Sequence, residues 1–331
     1  MNLRHLGYFV RIADLGSFTK AAQHLRVAQP ALTRHIQQIE ATFGVELFFR
    51  SSRGVVLTEA GRNLYDNATR ILHDIESASN ELRSFAGQPS GSVVLGITPS
   101  LSSLVVPRLL AHGRDRLAKI KLKFVESFGG QLEEWLADRR IDLAIHTEPV
   151  ANRHLLWTPL AVEEMVLVTR HDRGSAQPVS VAELGAMPLT MTDSLRNLVD
   201  RLLEPHGGCL AVDTTLNSIS TILLMLREGL CASILPYSAV RADCTAGALH
   251  AHRITANGVT RNLALSVNAQ RPMSLGTQAV AALVRDLFEQ LVTEDAFRMN
   301  GPADEAAPRQ PRTDKRAKRQ RTPAQNLEPA R

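Results

Sequence analysis

Residues 29–37 read Gln29-Pro30-Ala31-Leu32-Thr33-Arg34-His35-Ile36-Gln37, and the spacing in this stretch decides the first part of the fold. Leu32, Ile36 and then Ile39 recur at i, i+4 and i+7, so a helix over about 30–40 puts them on one face. Pro30, Thr33, Arg34 and Gln37 recur with the same period and fall on the opposite face. A proline is tolerated in the first helical turn, where its missing N–H would lack an intrahelical partner anyway. The sequence therefore specifies a helix with one side to cover and one hydrogen-bonding side to present.

Working outward, Leu6, Phe9, Val10 and Ala13 form one apolar stripe of an earlier helix. A Gly16-Ser17 break follows, and Ser17 is an N-cap for a short helix ending at Leu25. Ala21 and Ala22 are small enough for a second helix to approach closely. Residues 26–29 then leave room only for a tight turn. On the other side, Phe48-Phe49-Arg50-Ser51-Ser52-Arg53-Gly54-Val55-Val56-Leu57 places two short apolar runs around a polar turn, which predicts a hairpin with Arg50 and Arg53 at its tip. A helix-turn-helix with a basic wing over 1–58 fits double-stranded DNA. Arginine can fork onto guanine and glutamine onto adenine in the major groove, and wing arginines reach phosphates or the minor groove. A merely solvated polar face is the alternative for an isolated helix; the tight turn before it and the basic wing after it favour DNA.

Charge agrees. The chain has 331 residues and a formal net charge of +5. Residues 1–65 hold eight Lys/Arg against four acids, residues 301–331 hold the same excess, and the stretch between them is slightly acidic. Positive ends suit a polyanion.

Thr58 is a candidate N-cap for a long helix spanning 59–87. Its apolar positions Leu64, Ala68, Ile71, Ile75, Ala78, Leu82 and Phe85 step alternately by four and three, a heptad seam expected to pair with a second copy. Gly87-Gln88-Pro89-Ser90-Gly91 forms a hinge. From 91 to 297 short apolar strands alternate with helices: Val93–Ile97, Lys121–Val125, Leu143–Ile145, Met165–Thr169, Pro188–Met191, Val212–Leu216, Cys231–Leu235 and Leu263–Asn268 read as strands, and Gln131–Arg139 as a helix. The fold class is thus α/β with an all-α, winged N-terminal head. Residues 298–331, centred on Lys315-Arg316-Ala317-Lys318-Arg319, are Pro-rich, charged and aperiodic, and are expected to be a disordered basic tail. That tail either adds salt-sensitive DNA affinity or is a neutral solubilising extension.

Several stretches together resemble the LysR-type transcriptional regulators: Ser17-Phe18-Thr19-Lys20-Ala21-Ala22, Gln29 through Ile36, Ile39-Glu40, Gly44-Val45-Glu46-Leu47-Phe48 and Leu57-Thr58-Glu59-Ala60-Gly61. The opening Met1-Asn2-Leu3-Arg4 is also similar to the nitrogen-assimilation subgroup. The resemblance implies DNA contacts at Gln29, Pro30, Thr33, Arg34, Gln37 and Arg53, to which Ala31 and Arg50 are added from the helix start and the wing. It also implies a periplasmic-binding-protein-like effector domain, with lobe I over 91–161 and 266–297 and lobe II over 162–265. Thr98, Ser100 and Ser127 match effector-touching positions of the family, and His146, Ser194 and Asn217 sit at equivalent strand ends. The plainer alternative is that such serines and threonines are only helix caps. The partners implied are promoter DNA carrying an interrupted inverted repeat, a small-molecule effector, a second copy of the chain in a dimer or tetramer, and RNA polymerase. Two alternatives stay open within the family: action without a coinducer, or redox sensing through a cysteine, with Cys209 in His206-Gly207-Gly208-Cys209 the candidate.

Other classes find little support. There is no G-x-S-x-G, P-loop, H-E-x-x-H or dinucleotide fingerprint for an α/β enzyme, and no cofactor or metal is expected. Cys209, Cys231 and Cys244 are odd in number and form no C-x-x-C pair, which predicts reduced thiols in a cytoplasmic protein. A free solute-binding protein would want a secretory leader, and Arg4, His5, Arg11 and Asp14 interrupt any apolar leader core. No run of 18 apolar residues offers a membrane span.

Overall fold

The computed structural model describes residues 2–51, 54–84, 89–147, 154–175, 177–207, 210–270 and 272–299. Arg53, Phe85, Gly87, Gln88, Cys209 and the basic tail from Gly301 lie outside them.

The head is built by α1 (Leu3–Leu15), α2 (Phe18–Leu25), α3 (Gln29–Phe43) and the hairpin β1 (Phe48–Ser51) with β2 (Gly54–Leu57). Each start and stop has a local cause. The Asn2 side chain accepts from the His5 N–H at 3.0 Å, and that of Ser17 accepts from Lys20 N–H at 3.3 Å. Gly16 ends α1 and Arg26 ends α2 in the left-handed region, at φ 59° and 55°, which turns the chain sharply into α3. Phe9, Ile12, Ala21, Leu32 and Ile36 are fully buried in one small core. Full burial of a large apolar side chain is favourable by about 1.5–3 kcal/mol, so covering its apolar face holds α3. The wing is anchored too: Val55 N–H donates to Gly16 carbonyl oxygen at 3.0 Å.

α4 (Glu59–Ser84) follows. Thr58 Oγ1 accepts from Gly61 N–H at 2.9 Å and donates to Glu46 carbonyl oxygen at 2.7 Å, so it caps α4 while tying it to the wing. A Cβ on Gly61 would lie 2.0 Å from the Leu47 carbonyl oxygen, so only glycine lets the helix pass this close.

The remainder runs β3 (Gly91–Ile97), α5 (Pro99–Gly113), β4 (Ile120–Glu126), α6 (Gly129–Ala137), β5 (Leu143–Thr147), β6 (Leu155–Thr169), α7 (Val181–Gly185), β7 (Leu189–Met191), α8 (Asp193–Leu203), β8 (Val212–Thr215), α9 (Ile219–Arg227), β9 (Ser233–Pro236), α10 (Tyr237–Thr245), β10 (His250–Arg253), β11 (Val259–Asn268) and α11 (Leu275–Thr293). The main sheet has the order β10-β6-β11-β5-β3-β4, with β9 also on β6. β3 pairs in parallel with β4 and β5, and β11 is antiparallel to β5 and β6. One core gathers Leu95, Leu101, Leu109, Leu143 and Leu287; another gathers Leu167, Leu189, Val199, Ile222 and Leu235. Strands β6 and β11 run from one core into the other, which makes two lobes joined by a pair of strands. Their register skips Leu160, opposite Leu263 and Ala264, where the strands leave the first lobe.

Several expectations are corrected here. The strand expected to begin at Met165 is the second half of a fifteen-residue strand. Pro159 and the acidic pair Glu163-Glu164 break the apolar run that a sequence reading needs. Likewise β11 starts at Val259, before Leu263. The helix expected through Arg139 ends at Ala137, because Arg139 adopts φ 60°. Arg298 and Met299, expected in the tail, are among the described residues, and Met299 N–H donates to Glu164 Oε2 at 3.1 Å.

Candidate functional site

On α3, Leu32 and Ile36 are buried, while Gln29, Pro30, Ala31, Arg34 and Gln37 are exposed and Thr33 is half-buried. Gln29 Nε2 donates to Thr33 Oγ1 at 3.1 Å, which steadies the first turn of that outward face. Arg34 and Gln37 make no hydrogen bond or ion pair with any described residue, so both can reach an external partner. The wing corrects one expectation. Arg50 lies inside β1, opposite Val55, with its guanidinium 5.0 Å from the Phe18 ring centroid and 3.9 Å from the Glu40 carboxylate. It folds back on the head and is not at the tip. Arg53 falls outside the described residues.

The heptad seam on α4 divides into two. Ala68 is fully buried in the head's own core, and Leu64 packs against that core. Those two positions are therefore occupied within one chain and are corrected as dimer contacts. Ile71, Ile75 and Leu82 are 38%, 40% and 72% exposed, and Ala78 is exposed as well, leaving an open apolar stripe further along the helix. The same helix is bonded to the head and to the first lobe. Tyr65 Oη donates to Asp14 of α1 at 2.6 Å; burial first, then this carboxylate, pushes the phenol up to about 12. Toward the first lobe, Asp66 pairs with Arg140 at 3.0 Å and His73 Nε2 lies 3.3 Å from Asp142. The Asp142 carboxylate also accepts from Val94 N–H of β3 at 2.7 Å.

Between the lobes lies a cleft of about 130 Å³. From the first lobe it is lined by the start of α5 (Thr98, Pro99, Ser100), the start of α6 (Phe128, Gly129, Gly130), and Glu133 and Thr147. The second lobe supplies Ser194, Leu195, Leu198 and Arg201 of α8, with Ile219 of α9, and Arg261 comes from β11. Neither α5 nor α6 carries a side-chain cap. Pro99 has no N–H and Leu101 N–H donates to the Thr98 carbonyl oxygen at 3.0 Å, so α5 offers a ligand only Ser100 N–H, while the first turn of α6 is open. Thr98 Oγ1 is buried and has no partner among the described residues.

Arg261 is the anchor of the cleft floor. It stands opposite Glu163 in the β6–β11 ladder; its Nε and Nη2 donate to Glu163 Oε2 at 2.9 and 2.7 Å, and both residues are buried. Its Nη2 also donates to Ser100 Oγ of the first lobe at 3.0 Å. Glu163 Oε1 accepts from Ser238 N–H of the second lobe at 3.2 Å. One ion pair thus ties the joining strands to both lobes.

Of the six expected effector residues, Thr98, Ser100 and Ser194 line the cleft. Ser127, His146 and Asn217 do not. His146 is fully buried, its Nε2 2.8 Å from Ser266 Oγ, and burial pulls its pKa down to about 4. Asn217 Nδ2 donates to Asp193 Oδ2 at 2.9 Å, and its Oδ1 accepts from Asp193 N–H at 3.0 Å, so it braces the start of α8. The sequence reading missed Glu133, Arg201 and Arg261. Arg261 carried a signal: it takes an inward position between Val259 and Leu263 in a strand of period two. Arg201 sits on the polar side of an amphipathic helix and carried none. Among the described residues no group of His, Cys, Asp and Glu could hold a metal, and no helix is long and apolar enough to cross a membrane. Burial raises the thiols of Cys231 and Cys244, the latter to about 11, which makes them poor nucleophiles at neutral pH.

A winged helix-turn-helix joined by a long helix to a two-lobed, cleft-bearing α/β domain defines a DNA-binding transcriptional regulator with an effector-binding domain. Residues 3–62 match the bacterial regulatory helix-turn-helix family of lysR type, and residues 86–289 match the LysR substrate binding domain. The chain belongs to the LysR family. It is 32% identical over 295 residues to the nitrogen assimilation regulatory protein nac of Klebsiella aerogenes, covering 88% of this chain and 96% of that one. It is 29% identical over 294 residues to the transcriptional regulator BbuR of Bordetella bronchiseptica, covering 86% and 90%. Among solved structures, the LysR regulator CbnR shares the fold at a TM-score of 0.65 with 21% identity, covering 86% of this chain and 99% of that one.

Proposed function

We propose that this regulator binds promoter DNA as a dimer, with the outward face of α3 in the major groove of each half-site. The observation that carries the reading is the division of α3: Leu32, Ile36 and Ile39 hold the helix to the head, while Gln29, Pro30, Ala31, Thr33, Arg34 and Gln37 project outward. Arg34 and Gln37 read base edges; Arg53 supplies a backbone or minor-groove contact from the wing. Ile71, Ile75, Ala78 and Leu82 pair the two chains, giving an interrupted inverted repeat, and the effector domains join dimers into a tetramer. The working division is a head over 1–58, a linker helix over 59–87 and an effector domain over 91–297. No catalytic role is assigned to the cleft. A small ligand there changes the angle between lobes, and the Arg140–Asp66 and His73–Asp142 contacts pass the change to α4 and so to DNA geometry and polymerase recruitment.

Fluorescence anisotropy on duplex DNA from upstream of the chain's own gene tests the reading. The wild-type chain is expected to bind it tighter than scrambled duplex, and Arg34→Ala to remove that preference at unchanged fold. Equal binding of both duplexes by the wild type overturns the proposal.

A further inference from the structure

We infer that Glu40 and Arg50 are a pair of positioning residues: they clamp the wing to α3 and so fix the spacing between the two parts of the head that meet DNA. The inference rests on the DNA reading of α3 and the wing, and assigns these two residues a role within it. Arg50 follows Phe48 by two positions in β1, so both side chains turn toward the head while Phe49 between them is exposed. Phe48 packs against the rings of Phe9 and Phe18, with centroids 5.2 and 5.7 Å away. The Arg50 guanidinium lies 5.0 Å from the centroid of the same Phe18 ring, which belongs to α2. Its other contact is the carboxylate of Glu40 on α3, 3.9 Å away.

Glu40 stands where such a clamp has to be. Thr33, Gln37 and Glu40 recur at i, i+4 and i+7 along α3, so Glu40 flanks the outward stripe. An unmet carboxylate beside side chains that reach for DNA would repel phosphate. Both of its oxygens are engaged instead. Oε1 accepts from Leu47 N–H at 2.9 Å, just before the wing, and Oε2 meets Arg50 inside it. One side chain of α3 thus holds the wing at its entry and again at the third residue of β1. The wing needs such a hold: its strands have four residues each, and a two-stranded hairpin alone is marginal in water. The ion pair is long and Arg50 is exposed, so it adds little stability. Its use is orientation.

Fluorescence anisotropy of the full-length chain on upstream and scrambled duplexes, over a range of salt, tests this. Arg50→Ala and Glu40→Ala are each expected to lower the preference for the upstream duplex by roughly tenfold, with the double variant no worse than either, since one clamp is broken in all three. Thermal melts should show the variants folded. Arg53→Ala should weaken binding in the wild type and cost little in the Arg50→Ala background, where the wing is already misplaced. Glu40→Ala gives the sharpest sign. Removing a negative charge beside DNA would by itself tighten binding, whereas breaking the clamp weakens it. The clamp is wrong, and Arg50 is a phosphate contact, if Arg50→Ala alone flattens the slope of log K against log salt by about 0.9 per lost contact while Glu40→Ala binds as tightly as the wild type or tighter. Additive losses in the double variant, or single variants that bind like the wild type, overturn it as well. Should an alanine variant unfold the head, Arg50→Lys and Glu40→Gln, which keep the bulk, carry the same comparison. A wild type without preference for the upstream duplex removes the DNA reading itself, and the clamp with it.

Discussion

The DNA-facing surface of α3 and the cleft between the lobes are built by opposite means. The first is set by nine consecutive residues, whose helical period alone separates the side that folds the head from the side that faces out. The second takes its walls from α5, α6, α8, α9 and β11, with Ser100 and Arg261 bonded across 161 residues of sequence. Local periodicity can write a flat recognition face; a concave site needs tertiary folding to assemble it. The two regions should therefore answer to mutation differently. Outward α3 residues should change affinity without changing stability, while cleft-floor residues should change stability first.

The largest expected effect is on the floor. Glu163→Ala leaves Arg261 as an uncompensated buried charge, and breaking such a pair costs about 3–5 kcal/mol. Denaturant unfolding of the effector domain is the measurement, and a loss below about 1 kcal/mol would place the pair outside the structural core. Next comes pH. His146 has a folded pKa of about 4 against an unfolded value of 6.5, so above pH 6.5 it adds nothing, being neutral in both states. As pH falls toward 4 the unfolded chain takes up the proton first, and stability should drop by about 3 kcal/mol over that window. His146→Gln should flatten this part of a stability-versus-pH curve; an unchanged slope would mean that the imidazole is solvated.

On the α3 side, Arg34→Ala should weaken specific DNA binding by about 1–3 kcal/mol while moving stability by no more than roughly 0.5 kcal/mol. A large stability loss there would erase the contrast between the regions. Finest of all, Ser17→Ala removes the α2 cap and should cost the head about 1 kcal/mol, read from thermal unfolding, with sequence preference retained. The seam on α4 sharpens the comparison within a single helix. Ile75→Glu should yield a folded monomer by sedimentation, whereas Ala68→Glu, at a buried head position, should unfold the head.

Legibility followed the same division. The head could be read almost residue by residue, because caps, turns and apolar period are local signals. Where the reading failed, a tertiary contact had claimed the residue: Arg50 turned back onto Phe18 and Glu40, and Ala68 entered the head core ahead of any partner helix. In the effector domain the alternation of strands and helices was visible, and Thr98, Ser100 and Ser194 were found on the cleft as residues at strand ends. His146 looked like a rim residue and is buried, since the first lobe folds over that strand end. Arg201 carries no local mark at all, because its place on the cleft depends on how α8 of the second lobe faces α6 of the first.

The most direct test of the account is methylation interference on upstream duplex DNA bound by the full-length chain. Guanine N7 lies in the major groove, so methylation at guanines in two inverted half-sites, centred about 10 base pairs apart or a multiple of that, should block binding, and Arg34→Ala should lose the pattern. Binding that no guanine methylation disturbs would contradict major-groove reading by α3.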